Sequence, residues 1–281
     1  MGRAETRVQV TAVTGETAHM GPVTTHPDVG SDGRSDQVIL DAVGLRKRFD
    51  ETQAVDDVSI RIHRGERVGI VGPNGAGKTT TLLMLLGAID PDEGTIDLAG
   101  CRLPDGRSSA MGRVGFAAGY LPLPAGLTVT ETLELFGALY GVDDPSTRAA
   151  QVLDELQIAS LAEQRVESLS SGQGTLVGFA KAVIHQPDLI VLDEPTASLD
   201  PDVAMRVRDR LEHMNTEHRS TLLLTSHDMR EVAELTTRVV FLRRGRIIAD
   251  GPPDEVVTEH GYPDLEAMFL AEAARLREEA V

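Results

Sequence analysis

Aromatic side chains are scarce in this chain: Trp is absent, and Phe, Tyr and Trp positions together make up only 3% of 281 residues. Aliphatic side chains must therefore fill any core. Cys101 is the only cysteine, which excludes an intramolecular disulfide and a multi-cysteine metal site and fits a reducing compartment. No apolar run approaches the roughly 18–20 residues that span a bilayer; the longest, TLLMLLGAI over residues 81–89, falls well short. The start shows no signal-peptide pattern. Basic residues are in deficit, 27 against 44 acidic ones, for a net charge of −17. A field of that sign repels nucleic acid and anionic lipid at long range, so neither is expected as a partner.

Hydrophobic residues make up 41% of the chain, enough for one large α/β domain. Residues 1–35 are rich in Thr, Gly, Asp and Pro with no sustained period, and a flexible tail is expected there. From QVILDAVGL onward, short β-branched runs alternate with helix-like segments. RVGIV (67–71), LIVL (189–192), TLLLT (221–225) and RVVFL (238–242) have the length and continuous apolar character of parallel strands covered on both faces. Between 128 and 187 such runs cease. Three helical patterns follow near 128–140, 146–158 and 173–186, as expected of a helical subdomain inserted at about 120–187. Residues 259–281 include DLEAMFLAEAARLREEA, which reads as an amphipathic helix.

The strongest chemical signal is RVGIVGPNGAGKTTTLLMLLG. Gly72, Gly77, Lys78 and Thr79 fit G-x-x-x-x-G-K-[ST] between a strand and a helix, the context in which that pattern cradles phosphates. Gly72, Gly75 and Gly77 let backbone N–H groups turn inward, and the helix beginning near Lys78 adds its positive end. Lys78 is placed to reach the β- and γ-phosphates, and the Thr79 hydroxyl to ligate Mg²⁺. In DLIVLDEPTASLD, Asp193 ends a buried strand as a second Mg²⁺ ligand, and Glu194 follows as general base toward an attacking water. In LSSGQ, Ser170 to Gln173 precede a helix; they read either as a second anion site or as an ordinary Ser cap.

These stretches together resemble the ATP-binding cassette (ABC) family over about residues 36–258. GPNGAGKTT (Gly72, Pro73, Asn74, Gly75, Ala76, Gly77, Lys78, Thr79, Thr80) looks like its Walker A, and LIVLDEP like its Walker B. LSSGQ (with Ser170, Ser171, Gly172 and Gln173) looks like its signature motif, SLD with Asp200 its D-loop, and His227 its switch histidine. The resemblance implies a P-loop NTPase core with a mostly parallel sheet, an N-terminal antiparallel β-subdomain and the inserted helical subdomain. It implies ATP and Mg²⁺ as cofactors and ATP hydrolysis coupled to transport. It also implies a homodimer or heterodimer in which the signature of one subunit closes on nucleotide held by the other. Phe49 falls where the family stacks an aromatic on adenine. A separate transmembrane permease subunit is the implied partner, with the chain peripheral on the cytoplasmic side of the membrane. The segment DLEAMFL is similar to the ending of ATPases from ABC-2-type exporters. A weakly hydrolysing ATP-dependent switch and a non-transport soluble ATPase are the alternatives. A GTPase is disfavoured because no Asn-Lys-x-Asp base-reading motif occurs.

One segment departs from the family. Between Val114 and Leu127 there is no charge, carboxamide or imidazole, yet the family has a Gln there that touches Mg²⁺ and senses the membrane partner. Counting back from LTV places Gly119 at that position; aligning on GYLP places Leu123 there. Neither register restores a carboxamide. Gly preceded by GF is similar to some export ATPases of the ABC-2 type, which favours a subfamily variation over a dead enzyme.

Overall fold

The structure is a computed structural model that describes residues 37–119, 121–196, 199, 204–205, 207–208, 211 and 220–278. The expected tail, Ser198 and Asp200 lie outside the described residues. The first sheet is antiparallel in the order β2-β1-β4-β5. It comprises β1 (Val38–Phe49), β2 (Thr52–His63), β4 (Glu93–Leu98) and β5 (Cys101–Arg102). A two-residue turn, Asp50-Glu51, joins β1 to β2, with Asp50 in the left-handed region (φ 47).

The second sheet runs β10-β9-β3-β8-β7-β6. Strands β3 (Arg67–Val71), β6 (Val114–Ala118), β7 (Leu189–Asp193), β8 (Thr221–Thr225) and β9 (Arg238–Arg243) are mutually parallel where paired. Only β10 (Arg246–Gly251) runs antiparallel, against β9. This is the mostly parallel core with an antiparallel β-subdomain that the sequence led us to expect. The four strands read from apolar runs all form, and β7 extends one residue further, so that Asp193 is itself the last strand residue.

Strand alternation explains the layering. Ile190 and Leu192 of β7, with Leu222 and Leu224 of β8, enter one buried cluster; Leu189, Val191 and Leu223 enter another. Successive side chains of a strand point to opposite faces, so the central strands are apolar throughout because both faces are covered. Helix α1 (Lys78–Leu85) and the first sheet cover one face through Leu82, Leu85, Ile60 and Leu40. The helical segment covers the other. Each such aliphatic side chain contributes about 1.5–3 kcal/mol on full burial.

After the short α2 (Arg107–Met111), that segment comprises α3 (Val129–Leu139), α4 (Pro145–Glu155) and α5 (Ser171–Val183). Helix α3 starts on a capping box, Thr128 with Glu131, and α4 on Asp144 followed by Pro145. Arg148 of α4 donates to the carbonyls of Val183 and Ile184, satisfying the end of α5. After β8 come α6 (Met229–Leu235), α7 (Pro253–Glu259) and α8 (Leu265–Glu278). Helix α8 buries Leu265, Met268 and Glu272. Arg243 of β9 and Arg275 donate to the two oxygens of Glu272 at 2.6 and 2.5 Å, so an ion pair as well as apolar packing holds this helix to the sheet.

Helix α5 sits unusually close to β6. A Cβ placed on Gly115 would lie 2.0 Å from the Ala182 carbonyl oxygen, so only glycine allows this approach. Gly115→Ala is expected to destabilise the chain by about 2–3 kcal/mol through forced separation of helix and strand. A thermal melt checks it: the midpoint should fall by roughly 4–10 °C, and an unchanged midpoint would show that α5 rides higher on the sheet.

Candidate active site

The ends of β3, β7 and β8 assemble the site. Beyond β3 the chain turns through Gly72–Gly77 into α1, whose N-cap is Gly77. Close approach of neighbouring backbone makes two glycines obligatory. A Cβ on Gly72 (φ 146) would lie 2.2 Å from the Leu242 carbonyl oxygen, and one on Gly77 (φ 100) 2.4 Å from that of Ala54. From behind, the Gly245 N–H donates to the Ala76 carbonyl at 2.9 Å, tying the loop to the β9–β10 turn. No side chain caps the N-terminus of α1 and no acid lies in its first turn, which leaves its N–H groups open toward an anion. Pro73 and Ala76 are buried in the loop floor; Asn74, Gly75 and Thr79 are exposed, and Thr80 is half-buried.

Lys78 folds over this loop, its Nζ donating to the carbonyls of Gly72 at 2.6 Å and Pro73 at 3.3 Å. Burial lowers the pKa of its ammonium below the ordinary value, while the Glu194 and Asp193 carboxylates act in the opposite direction. The phosphate loop and the two acids therefore share one electrostatic environment.

Asp193 is 3% exposed and pairs in register with Thr225 of β8, whose hydroxyl donates to Oδ1 at 2.5 Å. Glu194 leaves the strand in the left-handed region (φ 53), and its N–H donates to both the carbonyl and the hydroxyl oxygen of Thr225. Its Oε2 is in direct hydrogen-bonding contact with Nδ1 of His227, which follows β8. Asp228, not His227, is the N-cap of α6, so the imidazole is not spent on capping. Lys78, Asp193, Glu194 and His227 thus converge at the C-terminal ends of parallel strands.

The other sequence candidates lie apart from that cluster. Ser170 is the N-cap of α5 in a reciprocal capping box: its Oγ accepts from the Gln173 N–H, and Gln173 Oε1 accepts from the Ser170 N–H. The hydroxyl proton of Ser170 remains available to donate. Ser170 and Ser171 are exposed, and Gly172 is half-buried. Among the described residues no hydrogen bond joins residues 170–173 to the phosphate loop. Phe49 is no core residue: it is 45% exposed at the end of β1, with Lys47 Nζ 5.6 Å from its ring centre. Sequence reasoning missed Thr225, whose only signal is its place at the end of a strand, and Glu231, discussed below.

The segment without reactive side chains closes the picture. Gly119 is the first residue beyond β6, whose last residue, Ala118, pairs with Asp193. Leu123 is partly buried against the core and lines one cavity together with Gly119. Gly119 thus lies one residue beyond the position paired with the strand-end acid. It lines a cavity of about 240 Å³ together with Leu169, Ser170, Ser171 and Lys181.

Comparison with known proteins bears on this arrangement. The profile described as "ABC transporter" matches residues 55–197. The chain belongs to the ABC transporter family. A "Nod factor export ATP-binding protein I" of Ralstonia nicotianae is 38% identical over 241 residues, covering 85% of this chain and 75% of the relative. The protein of that name from Bradyrhizobium diazoefficiens is 36% identical, covering 85% and 78%. Among solved structures, an "ATP binding subunit of ABC transporter" superposes with a TM-score of 0.75 at 26% identity, covering 83% of this chain and 99% of its own. The chain is accordingly an ABC-type ATPase with the fold of these cassettes.

Within this ABC ATPase, a side chain at 119 meets no steric barrier, because a Cβ there has nothing within 4 Å and the backbone is not left-handed. Gly119→Gln is expected to change stability by no more than about 0.5 kcal/mol and to leave steady-state ATPase activity without a severalfold rise. A severalfold gain would identify the glycine as a defect and not a variation.

Proposed function

We propose that this chain is the ATP-hydrolysing motor of an ABC exporter, its cassette spanning residues 36–258 with residues 259–281 appended as a C-terminal helix. The observation that carries the hydrolytic reading is the convergence of Lys78, Asp193, Glu194 and His227 around the N-terminus of α1. Backbone N–H groups of Asn74, Gly75 and residues 77–80, with the Lys78 ammonium, hold the β- and γ-phosphates. Glu194 accepts a proton from the attacking water, and His227, already against Glu194, holds the base in line with the γ-phosphate. Phe49, exposed at the end of β1, stacks on adenine. The Thr79 hydroxyl and the Asp193 carboxylate form a hard oxygen donor set suited to Mg²⁺, which supplies charge neutralisation at the phosphates when bound.

Two cassettes dimerise, as homodimer or heterodimer, so that Ser170 to Gln173 of one face the phosphates of the other and Asp200 links the sites. Support comes from the exposure of the signature and its lack of hydrogen bonds to its own phosphate loop. Among the described residues no helix is long and apolar enough to cross a membrane. In this reading a separate permease forms the transport path and holds the cassette on the cytoplasmic side. Leu135 and Leu139, exposed one turn apart on α3, offer the helical segment an apolar contact for it. Export as the direction rests on the names of the relatives.

Glu194→Gln is expected to keep ATP binding, to accumulate an ATP-bound dimer on size-exclusion chromatography and to lose about 100-fold or more of its turnover. Turnover at the parental rate would remove Glu194 from the role of base. Lys78→Ala should weaken ATP binding about tenfold or more by calorimetry; unchanged affinity would refute the phosphate-loop assignment.

A further inference from the structure

Glu231 is a carboxylate with no exposed surface, located in the first turn of α6. Residues 228–231, Asp-Met-Arg-Glu, have the spacing of a capping box. Half of that box is present: the Asp228 carboxylate accepts from the N–H groups of Arg230 and Glu231 at 3.0 and 3.2 Å. The reciprocal half is missing. The Asp228 N–H donates instead to Ser226 Oγ at 3.1 Å, and the Glu231 carboxylate turns inward. There its Oε1 accepts from Thr196 Oγ1 and its Oε2 from Ser226 Oγ, each at 2.6 Å. Among the described residues no cation forms a salt bridge with it.

A buried carboxylate that two hydroxyls alone satisfy is costly to maintain, and an apolar side chain at this place in α6 would fold at lower cost. What the arrangement achieves lies in its partners. Thr196 follows Glu194 by two residues, and Ser226 immediately precedes His227. The two oxygens of one rigid carboxylate therefore grip the two loops that carry the base and the histidine. Glu194 and His227 of those same two loops are in direct hydrogen-bonding contact with each other.

We propose that Glu231 is a positioning residue for hydrolysis: it fixes the separation of the loops after β7 and β8, and thereby the register of Glu194 against His227. The inference rests on the hydrolytic reading above. The phosphate loop takes no part in this network, so nucleotide affinity is independent of it.

Steady-state ATPase measurements with ATP titrations test this. Glu231→Ala should lower kcat about tenfold or more, with the KM for ATP within about twofold of the parent. Glu231→Gln should recover about a third or more of the lost activity, because its amide still spans both hydroxyls, which donate or accept. A merely structural role predicts that kcat falls and KM rises together without rescue, and that result overturns the inference. If the Ala variant fails to fold, Thr196→Val and Ser226→Ala each release one loop and should each lower kcat about threefold or more at unchanged KM. Parental kcat in Glu231→Ala, or in both hydroxyl variants, also overturns it. Glu194→Gln run in parallel separates the two readings. If it is inactive while Glu231→Ala is parental, the base stands and only this inference fails; if Glu194→Gln is fully active, the hydrolytic reading fails and this one with it.

Discussion

The pairing of Asp193 with Thr225 across two parallel strands is the constraint on which the site depends. The hydroxyl of Thr225 holds the carboxylate, and its carbonyl and hydroxyl oxygens both receive the N–H of Glu194. One side chain and one backbone position thus fix where the strand stops and which way the next residue leaves. A slip of one residue would turn every side chain of β7 to the opposite face and send Asp193 into the apolar layer. The two buried clusters forbid that slip, since Leu189 and Val191 belong to one and Ile190 and Leu192 to the other. Core packing and site geometry are therefore a single specification.

Charge sets a second demand. The phosphate loop offers one lysine, and that lysine faces two carboxylates in a setting that already disfavours its charge. A triphosphate arriving there meets a local balance that is not positive. The backbone N–H groups at the uncapped start of α1 offset that balance, and the divalent cation proposed at Thr79 and Asp193 would add to them. The net charge of −17 makes that local compensation more necessary.

Much of this architecture was legible in the sequence where the determinant is local. Continuous apolar runs at RVGIV, LIVL, TLLLT and RVVFL gave strands because both faces of each are buried, and the phosphate loop announced itself through glycines that no other residue can replace. In the first sheet QVILDAVGL read as a strand, but the antiparallel arrangement was expected only through family resemblance, and EGTIDL alternates half-buried and buried positions too briefly to stand out. Thr225 and Glu231 were illegible for a different reason. Asp193 and Thr196, their partners, are distant in the chain, and Glu231 sits at a spacing that predicts a different hydrogen bond from those it makes. The loop after β6 was legible by position: Ala118 pairs with Asp193 and Gly119 follows it, while Leu123 lines the same cavity as Gly119.

The left-handed backbone at Glu194 has a consequence for how such a protein ages in evolution. That conformation is strained for a glutamate and comfortable for glycine or asparagine. Drift toward glycine or asparagine at this position relaxes the backbone while it silences the proposed base. Copies that lose the chemistry would persist as well-folded, abundant proteins, since cellular quality control weighs stability and is blind to turnover. Purifying selection at this residue can act only through activity.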